Sequence, residues 1–380
     1  SSLVGSEMCI RDRINILKVA AFFSGMCALA SCTTPELENF DEYSLTEPAK
    51  SESYYEALRA FKQSKHPISF GWYAGWSEPG VSTASMLAGL PDSMDVVSLW
   101  GGWNNLSEGK KRDLKFVQEK KGTRVVFCSF TSVVGQGMTP AEFDKDDTTR
   151  EQFWGWKDGD DAAIEEAIRK YARAIVDSVN FYGYDGFDID YEPNYGYGGK
   201  LASDQGRMSI LIDELGKYIG PKSSDPSKLF ILDGEIWRMN PSVIDRFSYL
   251  VSQAYSVSGG KPSPDAGMSD SNLDSRLQQC VSAYSSVLSE EQVTNMFVAT
   301  ENLESAIDAL NGGYYWTNRD GERQDKAVCP SLLGMAKWQP VNGFMKGGFG
   351  AYQFQNEKVN TPPYKWLRRG IQAANEGVNE

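Results

Sequence analysis

The chain has 380 residues, 51 acidic against 38 basic side chains, a net charge of −13 and one histidine. That length exceeds most single domains but suits one α/β domain with loop insertions. The negative charge argues against nucleic acid and an anionic membrane surface as electrostatic partners. The single histidine, His66, excludes any two-histidine metal site, and we predict neither a metal nor a cofactor. His66 precedes a proline at the start of a predicted strand, so we interpret it as structural.

The N-terminal region reads as a targeting segment. Residues 1–13 resemble a gene-assembly artefact or a misassigned start, and we leave them out of the fold prediction. Basic residues then precede an apolar run over 19–29, which is short for a membrane span. The run ends in Leu-Ala-Ser-Cys at 29–32, which resembles the lipobox of bacterial lipoproteins. We therefore expect a signal over 1–31 and lipidation of Cys32. A plain signal peptide is the alternative.

A lipidated Cys32 implies a location in the bacterial cell envelope, at the outer membrane or cell surface, with membrane contact only through the anchor. Residues 33–51 are rich in Glu, Asp, Thr, Ser and Pro, which is typical of a solvated tether. We thus divide the chain into a signal (1–31), a lipidated linker (32–52) and one folded domain (53–380). The three later cysteines are too scattered for a disulfide framework.

From residue 68 onward the sequence alternates strand and helix patterns, which favours a parallel sheet with crossover helices. Strands are predicted over 68–73, 95–100, 124–130, 185–192, 229–232, 249–255, 296–300 and 349–354. Helices are predicted over 54–62, 161–179, 205–218, 273–285, 329–338 and 364–374, with others in most gaps. Eight strands without an internal repeat support a single (β/α)8 TIM barrel.

The segment 184–193 reads Tyr-Asp-Gly-Phe-Asp-Ile-Asp-Tyr-Glu-Pro. Asp188, Asp190 and Glu192 alternate with aromatic and branched residues, so an extended backbone places three carboxylates on one face. In a barrel that face is the enclosed interior. Carboxylates crowded together cannot all ionise, and at least one pKa must rise. This pattern indicates catalytic acids.

A solvated acidic face and a calcium loop are the alternative interpretations of these acids, and the sequence fits both less well. A solvated acidic face rarely alternates with Phe, Ile and Tyr. In a calcium loop the three acids would take the first, third and fifth positions, but the sixth would then be Pro193 where that loop needs a glycine.

The run Asp185-Gly186-Phe-Asp188-Ile-Asp190-Tyr-Glu192 resembles the D-G-x-D-x-D-x-E signature of glycoside hydrolase family 18, which contains chitinases and endo-β-N-acetylglucosaminidases. The resemblance implies a (β/α)8 barrel with this segment as its fourth strand and a retaining, substrate-assisted mechanism. It also implies that Glu192 is the general acid and base, that Asp190 holds the 2-acetamido group and that Asp188 shares a proton with Asp190. Asp185 and Gly186 would be structural parts of the motif.

Other candidates lie at the ends of the predicted strands, where a barrel places its active site. The sixth strand ends in Gln253-Ala-Tyr255 and resembles the family's sixth strand, which implies that the Tyr255 hydroxyl bonds the acetamide oxygen. Six residues are predicted to bind sugar: Trp72, Trp100, Glu235, Gln253, Asn302 and Tyr352. The aromatic ones among them are equally consistent with packing in the core.

Two departures from the family pattern bear on the substrate. The third strand lacks the Ser-x-Gly-Gly run common in chitinases, and Tyr352 stands where chitinases usually carry a tryptophan. Both favour an endo-β-N-acetylglucosaminidase that cuts the GlcNAc-β-1,4-GlcNAc core of N-linked glycans. The expected partner is an oligosaccharide or glycoprotein N-glycan, bound by a monomer. The alternatives are a chitinase or chitooligosaccharide hydrolase, and a non-catalytic glycan-binding lipoprotein.

Overall fold

Eight parallel strands form a closed barrel within residues 50–78, 85–257 and 266–376, the parts of the chain that the computed structural model describes. The barrel strands are β1 (Ile68–Tyr73), β2 (Val96–Trp100), β3 (Arg124–Phe130), β4 (Gly186–Tyr191), β5 (Leu229–Gly234), β6 (Tyr249–Gln253), β8 (Phe297–Asn302) and β10 (Gly348–Tyr352). Each pairs with the next in parallel, and β10 pairs with β1. The prediction of a single (β/α)8 barrel is confirmed.

Two short strands lie outside the barrel. β7 (Gly267–Ser269) and β9 (Tyr315–Thr317) pair in parallel as a separate two-stranded sheet. They belong to segments that follow β6 and β8, so they lie in the loop region of the last third of the chain. The sequence did not predict them.

Helices fill most of the connections between strands. They are α1 (Glu52–Gln63), α2 (Glu108–Phe116), α3 (Asp147–Trp154), α4 (Asp161–Tyr182), α5 (Gly199–Ala202), α6 (Gln205–Leu215), α7 (Asp270–Tyr284), α8 (Glu290–Met296), α9 (Ala306–Asn311), α10 (Ser331–Lys337) and α11 (Lys365–Ala374). α4 shows why the sequence folds this way: the Asp160 side chain accepts the Ala163 N–H at the first turn, and Gly183 ends the helix at φ 77°. The apolar stripe between these signals is buried.

The alternation of side chains along the strands separates two apolar cores. The interior of the barrel holds an inner cluster of Ile68, Phe70, Trp72, Val96, Val126, Cys128, Ile231, Val251 and Val298. The other face of each strand packs against the helices, and in β4 that face carries Phe187, Ile189 and Tyr191. Asp188 and Asp190, on the opposite parity, therefore point into the barrel.

Several sequence predictions lie outside the described residues. These are the signal, the lipidation of Cys32 and most of the acidic tether. Among the residues that are described, no helix has the length and apolar character needed to cross a membrane. Cys128, Cys280 and Cys329 are all buried free thiols.

Candidate active site

The predicted acid row lies at the carboxyl end of β4. Asp188 and Asp190 are buried inside the barrel, while Glu192 follows the last residue of β4 and is half-buried. The neighbouring strands place side chains next to this row: Cys128 of β3 lies opposite Asp188, and Asp233 of β5 lies opposite Asp190. The row thus runs from the barrel interior towards its mouth.

Asp188 is the deepest of the three acids and has two donors. Its Oδ2 accepts hydrogen bonds from Trp72 Nε1 at 3.0 Å and from Ser98 Oγ at 2.6 Å. Its Oδ1 has no donor. Burial raises the pKa of Asp188 to about 6, even though the hydrogen bonds from Ser98 and Trp72 pull it down. Asp188 is therefore able to hold a proton in the weakly acidic range.

Asp190 occupies the centre of the row, between Glu192 at the mouth and its register partner Asp233 on β5. Burial, then the charges of Glu192 and Asp188, raise the pKa of Asp190 well above its usual range. Asp190 and Glu192 are two residues apart, so one side chain can orient a substrate amide while its neighbour exchanges a proton with the same sugar.

Asp233 is a site residue that the sequence analysis missed. It is completely buried in β5, and its Oδ1 accepts Gln253 Nε2 at 3.0 Å. Burial, then the charges of Asp190 and Asp188, raise the pKa of Asp233 well above its usual range. The available signal was parity: Asp233 follows the inward-facing Ile231 by two residues, but the predicted strand ended at 232.

Tyr255 lies just beyond β6, half-buried beside the acids. Burial, then the charges of Asp233 and Asp190, raise the pKa of its phenol well above the usual range, so the hydroxyl stays protonated and able to donate. The residue after it is fixed by Glu301, whose Oε1 accepts Ser256 N at 2.9 Å. Glu301 is itself buried, so the end of β6 is tied to the end of β8.

Glu235 holds the loop that follows β4. Its Oε2 accepts Asn194 N at 2.7 Å and its Oε1 accepts Asn194 Nδ2 at 2.9 Å. Glu235 is 3% exposed, so its carboxylate faces the loop and not an open cleft. The carboxylate of Glu235 is therefore bonded to the loop and does not lie free at the barrel mouth. Its predicted contact with sugar stays a prediction.

Four aromatic side chains form a surface beside Glu192, which we call the aromatic wall: Trp100, Phe130, Tyr197 and Tyr352. Phe130 and Tyr197 are stacked with ring centroids 4.0 Å apart, and Trp100 joins Phe130 to Tyr352 with centroid distances of 5.8 and 5.5 Å. Tyr197 is 44% exposed. Flat aromatic faces with partial exposure suit stacking against a sugar ring.

The remaining predicted residues occupy supporting positions. Trp72 is buried and donates to Asp188, so it lies beneath the acids and not on the surface. Asn302, at the end of β8, is half-buried and caps the following turn by accepting Glu304 N. Asp185 accepts Val125 N at 2.8 Å and so joins β3 to β4 outside the barrel interior. Gly186 is required because a Cβ there would lie 1.9 Å from Leu229 O.

The closed parallel barrel and the carboxylate row at its mouth define the protein as a glycosidase of the (β/α)8 barrel class. The chain belongs to glycoside hydrolase family 18, whose BT1044-like model matches residues 33–373. The family predicted from the acid motif is confirmed.

Curated relatives have endo-β-N-acetylglucosaminidase names. The chain is 28% identical over 239 residues to EndoS of Streptococcus pyogenes serotype M1, covering 56% of this chain and 23% of that protein. It is 26% identical over 316 residues to endo-β-N-acetylglucosaminidase F2 of Elizabethkingia meningoseptica, covering 79% of this chain and 76% of that protein. The chain therefore spans about a quarter of the length of EndoS and three quarters of that of F2.

Solved structures show the same architecture. BT1044, in a selenomethionine form with one Glu-to-Gln substitution, superposes with a TM-score of 0.71 at 28% identity, covering 86% of this chain and 93% of that one. An endo-β-N-acetylglucosaminidase from Cordyceps militaris superposes with a TM-score of 0.54 at 19% identity, covering 86% of this chain and 97% of that one. The second likeness concerns the fold alone.

Proposed function

We propose that the protein is a retaining endo-β-N-acetylglucosaminidase that hydrolyses the GlcNAc-β-1,4-GlcNAc link of N-linked glycans, using the acetamide of the substrate as the nucleophile. The observation that carries this proposal is the placement of a buried Asp190 inside the barrel with the half-buried Glu192 two residues further on, at the mouth. That arrangement offers an amide acceptor and a proton carrier to adjacent atoms of one sugar.

In the first step, a protonated Glu192 donates its proton to the glycosidic oxygen as the bond from that oxygen to the anomeric carbon breaks. The acetamide oxygen forms the new bond to the anomeric carbon from the opposite face, which yields an oxazolinium ion. Asp190 accepts the acetamide N–H and stabilises the positive charge that develops on the ring. The Tyr255 hydroxyl donates to the acetamide oxygen and fixes the direction of attack.

In the second step, Glu192 is a carboxylate and takes a proton from the incoming water. The water oxygen bonds to the anomeric carbon while the bond to the acetamide oxygen breaks. Two inversions at one carbon give net retention. Asp188 supports both steps because its raised pKa lets it keep a proton beside Asp190 and so lowers the repulsion in the row.

Two features support the choice of substrate. The aromatic wall offers stacking surfaces for more than one sugar ring, and the curated relatives carry names of enzymes that act at GlcNAc. Three chitinases among the solved structures, with TM-scores of 0.50 to 0.51, are 12 to 13% identical and share the fold alone. An N-glycan is therefore the proposed substrate, and chitooligosaccharides serve as the comparison.

The test is a release assay with a high-mannose and a complex glycoprotein, using the wild type, Glu192→Gln and the surface control Glu56→Gln. We expect release by the wild type and the control, and a loss of at least about 100-fold in Glu192→Gln with an unchanged melting temperature. The initial anomer of the product, read by NMR, should be β. Undiminished release by Glu192→Gln, or turnover of chitooligosaccharides without glycoprotein cleavage, would contradict the proposal.

We also propose that the enzyme is anchored to the cell envelope through Cys32. The support is the Leu-Ala-Ser-Cys sequence at the end of the apolar run. Expression in a Gram-negative host with a labelled fatty acid tests this, because the wild type should carry the label and Cys32→Ser should not. Equal labelling of the two proteins would contradict the anchor.

A further inference from the structure

We propose that Asp233 is a positioning residue for the reaction proposed above: it holds one oxygen of Asp190 through a shared proton, which leaves the other oxygen of Asp190 for the acetamide N–H. The inference rests on the proposed function because it assigns Asp190 its acceptor role. It adds a fourth carboxylate, on a different strand, to the three-acid row of β4.

The backbone brings Asp233 to Asp190. The two residues are register partners in the β4–β5 pair. Close approach of the strands depends on Gly234, because a Cβ at that position would lie 2.5 Å from Tyr191 O. With φ at 87°, Gly234 also turns the chain immediately after Asp233. The carboxylate is thus fixed at the last inward position of β5.

The side chain of Asp233 is held from three directions. Gln253 of β6 donates to its Oδ1 at 3.0 Å, and the Cys128 thiol of β3 lies 3.7 Å from its Oδ2. A carboxylate oxygen of Asp188 lies within 4.8 Å of both the Cys128 sulfur and an Asp233 oxygen. Asp233 also lies opposite Asp190 in the sheet, and the charges of Asp190 and Asp188 act on it.

Two buried carboxylate oxygens lack a donor. Asp188 Oδ1 and Asp190 Oδ1 have no hydrogen-bond partner among the described residues, and both atoms are buried. An ionised carboxylate can only accept hydrogen bonds, so two facing carboxyl groups bond each other only when they share a proton. A proton shared between Asp233 and Asp190 gives Asp190 such a donor, as in other pairs of close carboxyl groups.

The titratable groups that act on Asp233, or on which it acts, come from the strands beside it. They are Asp188 and Asp190 from β4, Cys128 from β3 and Tyr255 from the end of β6. The thiol and the phenol stay neutral near pH 7, because burial raises the pKa of both. Removal of the Asp233 carboxyl group should therefore change the titration of Asp188 and Asp190.

The first test compares the pH dependence of kcat/KM for the wild type and Asp233→Asn. Asparagine keeps the shape of the side chain and the contact with Gln253, but it cannot ionise. The carboxyl pair of Asp190 and Asp233 can then no longer share a proton, so we expect the alkaline limb of the kcat/KM profile to move. We also expect kcat to fall at least about tenfold with a smaller change in KM.

A matched control is Asp113→Asn, the same change at a buried aspartate on α2, outside the barrel interior. Asp113 accepts the Trp76 Nε1 hydrogen bond and two backbone N–H groups, so this variant should lose stability. Its pH profile should match the wild type. An alkaline limb that stays in place in a fully folded Asp233→Asn would overturn the proposal.

The second test needs no substrate. Infrared spectra of wild type and Asp233→Asn across the same pH range report the C=O stretch of neutral carboxylic acids. In the variant this band should disappear at a lower pH than in the wild type. The decrease in its intensity should also be larger than one missing carboxyl group explains. A remaining band with unchanged titration would overturn the shared proton. A shifted band in a protein that releases no sugar would instead show that the proposed function is wrong while the carboxyl pair is right.

Discussion

The burial of Asp188 lowers the stability of the folded protein. Its carboxyl group lies at 0% exposure and has a pKa of about 6, compared with about 4 for the same group in an unfolded chain. The folded state therefore disfavours the ionised form. The penalty is absent below about pH 4, grows as the pH rises through about 6, and is complete above that value.

We predict that Asp188→Asn is more stable than the wild type at neutral pH. The amide keeps the contacts with Trp72 and Ser98 through its oxygen and offers N–H groups to the neighbouring carboxylates. The gain should be on the order of 1–3 kcal/mol at pH 7 and should vanish near pH 4. Thermal unfolding at both values measures it, while kcat falls.

The control for this prediction is Asp185→Asn, a nearby residue that faces the other way. Asp185 Oδ2 accepts hydrogen bonds from the Val125 N–H and the Gln118 amide, and Oδ1 pairs with Arg124 Nε at 3.4 Å, so asparagine removes an ion pair and should lower the melting temperature. A stability gain at pH 4 equal to that at pH 7 in Asp188→Asn would contradict the electrostatic explanation.

Tyr255→Phe tests the hydroxyl directly. Phenylalanine keeps the ring beside Tyr352, at a centroid distance of 6.2 Å in the wild type, and removes only the donor. We predict a fall in kcat of about 10- to 100-fold with a small change in KM, because the lost hydrogen bond acts on the transition state. Tyr218→Phe, at an exposed position, is the control. A loss confined to KM would mean that the hydroxyl only binds the ground state.

At this scale the sequence predicted the inward acids, because strand parity depends only on the alternation of side chains. It could not place Asp233, since a strand boundary is uncertain by one or two residues and Asp233 lies at such a boundary. It also gave no sign that Gln253 contacts another side chain, because cross-strand neighbours depend on register.

Among the elements, the loop after β4 has the most direct link to function. Residues 193–197 leave β4 through Pro193 and carry Tyr197 into the aromatic wall. Glu235 fastens the start of this loop through the backbone and side chain of Asn194. The position of Glu192 therefore depends on an acid contributed by the segment after β5.

We predict that Glu235→Gln lowers kcat by about 10- to 100-fold without abolishing folding. A glutamine loses the second acceptor oxygen, which makes the shorter contact with Asn194 Nδ2, and the charge that strengthens both bonds, so the loop loosens and Glu192 loses its alignment. Hydrogen exchange should become faster over residues 193–197. The control is Glu151→Gln, which removes an ion pair to Lys200 on α5 and should leave kcat unchanged. Unaltered hydrogen exchange over residues 193–197 in Glu235→Gln would contradict the proposal that Glu235 holds this loop.

The sequence predicted barrel strands better than connecting elements. Strands β1 and β3 were predicted with their observed bounds, because buried parallel strands form short apolar runs between turn signals. α2 and α3 were not assigned, since their sequences are polar and are fixed by caps at Ser107 and Asp146. The sheet of β7 and β9 joins segments far apart in the chain, which no local pattern shows.

At the level of the whole molecule, the two ends of the barrel carry different kinds of residues. The carboxyl ends of the strands carry the acids, whereas His66 lies before β1 at the opposite end. His66 is buried, its Nδ1 donates to Ser64 O at 2.8 Å and its Nε2 lies 3.2 Å from Asp95 Oδ1. These contacts support the interpretation of His66 as structural.

We predict that the stabilising effect of His66 declines as the pH rises. Burial alone would lower its pKa, but the hydrogen bond and charge of Asp95 raise it above the usual value. The protonated pair therefore stabilises the fold fully below about pH 6.5, and this contribution is lost as the pH rises through the higher folded value. His66→Gln should cost about 1–3 kcal/mol at pH 6 and less at pH 8.

Denaturant unfolding at the two pH values measures the difference. Ser51→Ala, which removes the N-cap of α1, the helix that precedes His66, should show a cost that does not depend on pH. An equal cost of His66→Gln at pH 6 and pH 8 would contradict a protonated pair.

The three buried thiols lie in two different layers of the protein, and alkylating reagents can report on each layer. Cys128 lies inside the barrel, whereas Cys280 and Cys329 lie between the barrel and its helices. Burial raises the pKa of each thiol, so none is reactive while the fold is closed. The order in which they are modified therefore records which layer of the protein opens first, without any introduced label.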